Sequence, residues 1–196
     1  MKRYVFLLAV MLLISRPPSH ALEGVDSLLT LDFSYAFTGL FHQGWGLGLN
    51  YEKKVIDCFS VKGNLGHMTF LTGIADVYNT SVSISLFINF YPFSSGLDKL
   101  YISAGNGCDF MNYFGSGVLP NTSEDTLIHI TPQIGWKFHI VSFLMIDVST
   151  GYKFIISDTE NYREIRNYVN PGFRFGVSFS IFLFNKNKDE NDEQAD

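Results

Sequence analysis

From residue 27 onward, apolar side chains recur at every second position, and the residues between them are mostly Ser, Gly, Asn and Thr. Period two is the spacing of a strand whose two faces meet different surroundings. The pattern predicts eight strands, at about 27–38, 43–52, 55–69, 78–91, 100–110, 126–138, 143–156 and 166–184. The second is the cleanest: Trp45, Leu47, Leu49 and Tyr51 alternate with Gly44, Gly46, Gly48 and Asn50. In the fourth, Val82, Ile84, Leu86, Ile88 and Phe90 oppose Ser81, Ser83, Ser85 and Asn89. The fifth is the least regular, because Asn106 interrupts its apolar face. No helical stripe of useful length follows residue 26, and no linker divides the chain.

Alternation also suits a soluble lipocalin-like barrel or a β-sandwich. The chemistry of the polar face separates these. A solvated surface needs roughly 25–35% charged residues. The whole chain has 17%, and each strand contributes only one or two. Small polar residues are poor at facing bulk water and good at filling a narrow interior. The other face is continuously apolar, and a single layer of eight strands has no second layer to cover it. Lipid would cover it, and closure would satisfy every backbone group in hydrocarbon. The expected fold is therefore all-β: a closed, antiparallel, eight-stranded up-and-down transmembrane β-barrel over residues 22–184. Aromatic residues gather toward strand ends in two predicted girdles. One holds Tyr35, Phe37, Trp45, Phe110 and Phe154, the other Tyr51, Phe90, Phe138, Phe143 and Phe179.

The N-terminus fits export to such a place. Lys2 and Arg3 precede an apolar run of eleven residues (4–14), then Ser15-Arg16-Pro17-Pro18 and a small-x-small site at Ser19-His20-Ala21. Eleven residues are too few to span a bilayer, so 1–21 reads as a cleavable signal peptide. Without Lys2, Arg3 and Arg16, the 14 basic residues become 11 against 19 acidic, a net charge of −8. That charge argues against a nucleic-acid partner. Residues 185–196 hold five acids and two lysines, and read as an acidic, disordered periplasmic tail. An even strand number places both termini in the periplasm of an outer membrane. The inner turns are then Lys53-Lys54, 92–99 and 139–142, and the outer loops 39–42, 70–77, 111–125 and 157–165. Cys58 and Cys108 fall on non-neighbouring strands, so free thiols are expected.

With the strands placed, two stretches carry a resemblance. One is Thr131–Phe138, TPQIGWKF, with Pro, Gly and an aromatic before a turn. The other is the last strand, where Arg174, Gly176, Phe179 and Ile181 take the spacing of an assembly signal: polar, x, Gly, x, x, apolar, x, apolar. The chain resembles the small outer membrane barrels of the OmpA, OmpX and OmpW type over about 25–184. The resemblance implies insertion by the barrel-assembly machinery. A departure is that twelve residues follow Phe184, where family barrels often end on a terminal Phe.

No metal-ligand spacing, phosphate loop or nucleophile elbow occurs, so neither a metal nor a cofactor is expected. His129-Ile130-Thr131 is a faint match to the His-x-Ser of lipid A deacylases, but His129 is predicted to face inward, away from lipid. Seven charges are predicted on inward faces: Asp32, Lys62, Asp109, Lys137, Asp147, Lys153 and Arg174. Buried charges must pair. Their first reading is a polar plug that closes the barrel. The alternative is a narrow channel or transporter for small, including hydrophobic, molecules. The loop 111–125, with Tyr113, Phe114, Val118 and Leu119, is a candidate contact for an extracellular ligand. The expected protein is a non-enzymatic barrel whose loops serve the envelope or its surface.

Overall fold

The computed structural model describes residues 25–36, 44–71, 77–93, 97–115, 123–141, 144–157 and 172–185. The signal peptide, most of the acidic tail, Phe37, Phe143 and the loop stretches 37–43, 72–76, 116–122 and 158–171 lie outside the described residues. The strands are β1 (Val25–Asp32), β2 (Trp45–Ile56), β3 (Phe59–Leu71), β4 (Val77–Phe90), β5 (Lys99–Gly115) and β6 (Ser123–Val141). The seventh, β7, runs over Leu144–Tyr152 and resumes as Phe154–Ile155, and β8 is Phe173–Asn185. Each strand pairs antiparallel with the next, and β8 pairs with β1, so the sheet closes into an eight-stranded up-and-down barrel.

The pause in β7 has a covalent cause. Gln133 pairs with Gly151 and Ile130 with Phe154 in one unbroken register. Between them, β6 presents Pro132, which has no N–H to donate. Across from it stands Tyr152, and the next residue, Lys153, where the strand pauses, donates its N–H to the Gly172 carbonyl on the β8 side at 3.0 Å.

The predicted faces hold along each strand. The apolar set, including Leu47, Leu49, Leu65, Ile84, Ile88, Ile102, Ile130 and Phe175, points outward at 36–76% exposure. Such a wall, continuous around the barrel, far exceeds the apolar patch of a few hundred Å² tolerated on a soluble monomer. The Ser and Asn partners are buried inside. Aromatic pairs sit near both ends of the wall. Tyr152 lies 4.6 Å from Phe154 toward the end away from the termini, and Phe59 lies 5.0 Å from Phe90 toward the terminus-bearing end.

Several boundaries differ from the sequence reading. β1 stops at Asp32, because its carboxylate accepts the Ser34 N–H at 2.9 Å and starts a helical turn at 34–36. That turn carries Tyr35 into the lumen, so Tyr35 is not a girdle residue. Lys53-Lys54 is not a turn. β2 continues to Ile56, the chain reverses at Asp57-Cys58, and Lys54 pairs with Asp57 at 3.2 Å. Tyr51 consequently sits mid-wall and not at a rim. β6 continues through 139–141, leaving only 142–143 to connect it to β7. β5 and β6 pair out to Tyr113 and Ser123, so most of the predicted loop 111–125 is strand. Asn106 does not break β5; it faces outward. Cys58 and Cys108 are both free.

Candidate functional site

The lumen is the one place where these strands gather chemistry. Eight strands leave a bore only as wide as the side chains that fill it, and here the fill is layered. The layer nearer the terminus-bearing end is built on Glu52. Its carboxylate is 1% exposed and accepts from Ser60, from Asn89 at 2.8 Å, from Tyr91 at 2.5 Å and from Lys137. Lys137 also donates to the Tyr91 hydroxyl at 2.7 Å. β2 and β6 stand four strands apart in an eight-strand ring, so this ion pair crosses the bore between opposite walls. Asp147 accepts the Tyr101 hydroxyl on both oxygens, at 2.9 and 3.1 Å. Lys62 lies over the Phe87 and Tyr101 rings, 5.0 and 5.5 Å from their centroids.

The next layer holds Asp109, ion-paired with Lys153 and 3.5 Å from His129. Asp32 accepts from Ser34, from Asn50 at 3.3 Å and from Asn64 at 3.5 Å. Arg174 reaches inward, half-buried, beside Gly176 and Ser178. Among the described residues each layer carries two carboxylates and two cations, His129 aside. Beside the two layers lies a partly open polar cavity of about 60 Å³, lined by Asp32, Lys62, Asp147, Lys153 and Arg174 among others. That is room for a few waters.

Glycines explain how rings fit beside the charges. A Cβ at Gly66 would overlap the Tyr35 ring, and Gly46 and Gly48 flank the same side chain. A Cβ at Gly105 would overlap the Phe87 ring in the same way, and one at Gly135 the Tyr101 ring. In both of those pairs the ring and the glycine are direct cross-strand partners. The rings stand where glycine side chains are missing, and so occupy the bore. Apolar groups close over the layers. Tyr35, Met68, Phe70, Met111, Tyr113 and Leu127 cluster toward the end away from the termini. Leu28, Tyr91, Leu97, Tyr101 and Met145 cluster toward the other.

No protein-family model and no curated protein matches the chain. Solved structures do. A major outer membrane protein from Thermus thermophilus superposes with a TM-score of 0.50 at 11% identity, over 80% of this chain and 98% of that one. The N-terminal β-barrel domain of Pseudomonas aeruginosa OprF gives 0.48 at 10%, over 82% and 100%. The attachment invasion locus protein Ail of Yersinia pestis gives 0.46 at 13%, over 83% and 99%. This chain has the fold of a small outer membrane β-barrel. At such identities the likeness is one of fold, and the first of the three carries it.

Within this outer membrane barrel fold, Asp32, Lys62, Asp109, Lys137, Asp147, Lys153 and Arg174 all point into the lumen, and two of the cations are in ion pairs. Sequence reasoning misses Glu52, because it stands last before the turn expected at Lys53-Lys54, where a rim carboxylate would face water. Extending the alternation of Leu47, Leu49 and Tyr51 by one step places it on the inner face. Of the last-strand residues, Arg174 and Gly176 face inward, while Phe179 and Ile181 face outward. His129 is 2% exposed. Ser85 and Asp109 both approach its Nε2, each at 3.5 Å. Thr131 Oγ1 lies 3.2 Å from the opposite ring nitrogen, Nδ1, and both His129 and Thr131 are buried inside the bore, on the face away from the outer wall. No group of three metal-ligating side chains occurs among the described residues.

Proposed function

We propose that the chain is a non-enzymatic outer membrane protein with a filled lumen, acting through the segments at the end away from its termini. The observation that carries this reading is the Glu52–Lys137 pair. Two side chains that meet from opposite walls leave no open bore at that level. Orientation follows from connection length. Two connections of two residues each (57–58 and 142–143) lie at the terminus-bearing end with the longer 91–98, whereas every connection at the opposite end has five residues or more. Short turns belong in the periplasm, which supports a periplasmic side for both termini. Signal-peptide removal at 1–21 and reading of Arg174, Gly176, Phe179 and Ile181 by the assembly machinery complete the proposal. β8 closes the barrel against β1, where a last-strand signal is needed.

The test is single-channel conductance of the refolded protein in planar bilayers. The wild type should be silent, and Lys137→Ala with Lys153→Ala should conduct. A wild type that conducts at once would overturn the filled-lumen reading. It would favour the second reading, a narrow path along β7, β8 and β1, where Ser34, Arg174, Gly176 and Ser178 line the cavity in place of apolar groups.

A further inference from the structure

Midway up the outward wall of β5 stands an amide, that of Asn106. Tyr51, Gly63, Leu86, Asn106 and Ile130 form a single row across β2 to β6. Gly63 leaves a gap in it: a Cβ there would meet only the Tyr51 carbonyl, at 4.0 Å. The gap belongs to an apolar trough of about 730 Å³ on the outside of the barrel, and Asn106 lies in that trough. Its amide is exposed and has no hydrogen-bond partner among the described residues. Other outward polar groups differ: His67, against Trp45, and Asn112 lie farther toward the end away from the termini. Thr69 and Thr80 bond each other at 3.1 Å, and Thr150 donates to the Arg174 carbonyl at 3.0 Å.

Depth sharpens the problem. Six residues separate Leu100, near the terminus-bearing end, from Asn106. At about 3.3 Å per residue and a tilt of about 40°, that is roughly 15 Å of height in an apolar band about 25 Å tall. The amide therefore lies near mid-bilayer. Acyl chains offer it nothing, and lipid esters and headgroups lie too far away. A primary amide is its own complement, with one acceptor oxygen and two donor hydrogens. A second copy inserted in the same orientation brings an identical amide to an identical depth. A two-fold axis along the membrane normal makes the meeting self-consistent. The missing side chain at Gly63 leaves room for close approach, as small residues do between membrane segments.

We infer that the β3–β6 face is a homodimer interface within the membrane, centred on an Asn106–Asn106 amide pair. The inference rests on the outer membrane reading above. Cys108 reports on it, being free and two residues along the same outward face. In a Cys58→Ser background, refolded into phosphatidylcholine vesicles, a short bis-maleimide should join two copies through Cys108. Asn106→Leu should lower the association constant roughly three- to thirty-fold, and Asn106→Gln should restore part of it. Equal cross-linking in Asn106→Leu, or none in a chain that floats with the vesicles, would overturn the dimer and leave the barrel standing. A chain that does not float with the vesicles would overturn both.

Discussion

Replacing Glu52 by glutamine tests whether the cross-bore ion pair is made. The change keeps shape and removes one charge. Every partner of Glu52 is a donor: Ser60, Asn89 and Tyr91 to Oε1, and Lys137 to Oε2. The substituted amide keeps one acceptor oxygen for the first three and turns an NH₂ toward the Lys137 ammonium. Lys137, whose side chain is 1% exposed, is left with the Tyr91 hydroxyl. Removing one partner of a buried pair costs about 3–5 kcal/mol, a factor of roughly 150 or more in the folded-to-unfolded ratio. Lys137→Met should cost less, because Glu52 keeps three neutral donors. The double variant should be more stable than the sum of the singles predicts, with a coupling of about 2–3 kcal/mol. Urea unfolding in lipid vesicles, followed by tryptophan fluorescence, measures all three. If Glu52→Gln costs under about 1 kcal/mol, or the two changes add within about 0.5 kcal/mol, the pair is not made and the argument for a filled bore fails.

Three further predictions concern the rings, the wall and the thiols. Gly66→Val places methyl groups in the Tyr35 ring; it should cost about 1–3 kcal/mol, and Tyr35→Ala should abolish most of that cost in the same unfolding assay. Ile130→Lys, at the depth of Asn106, should cost about 2–4 kcal/mol and Ile140→Lys, near the strand end, about 0–1; equal effects would mean the wall does not face hydrocarbon. Cys58, in the Asp57-Cys58 turn, should react with a water-soluble maleimide in vesicles far faster than Cys108 on the wall, and equal labelling rates read by mass spectrometry would refute that placement.

The alternation made the wall legible, because a period of two fixes which residues share a face once a strand is granted. It could not say where a strand stops. Asp32 reads as one more inward residue until its carboxylate is seen capping Ser34, and only then does Tyr35 leave the outer face. Lys53-Lys54 looks like a turn because two adjacent charges are rare in a strand facing lipid, yet Lys54 lies beside the true turn and pairs with Asp57. That slip hides Glu52. The charges were legible one by one, but their pairing was not. Pairing across a barrel depends on strand order around the ring and on stagger, and neither is written in any single strand.

The glycines join these threads. Gly46, Gly48 and Gly66 come from β2 and β3, while the ring they receive comes from the turn after β1. Each alone weakens a strand, since glycine packs nothing and loses the most entropy on folding. Together they make a floor on which one tyrosine covers three residues and still reaches Asn64 at 2.7 Å. Gly105 under Phe87 and Gly135 under Tyr101 repeat the device lower in the bore, and both rings then face the Lys62 ammonium. An interior filled only by short polar groups would admit water, and one filled only by rings would strand the charges. Rings seated on glycines bring apolar surface into the bore beside four cations and four carboxylates. Sealing then depends on both sets, so removing a single ion pair should destabilise the barrel before it opens it.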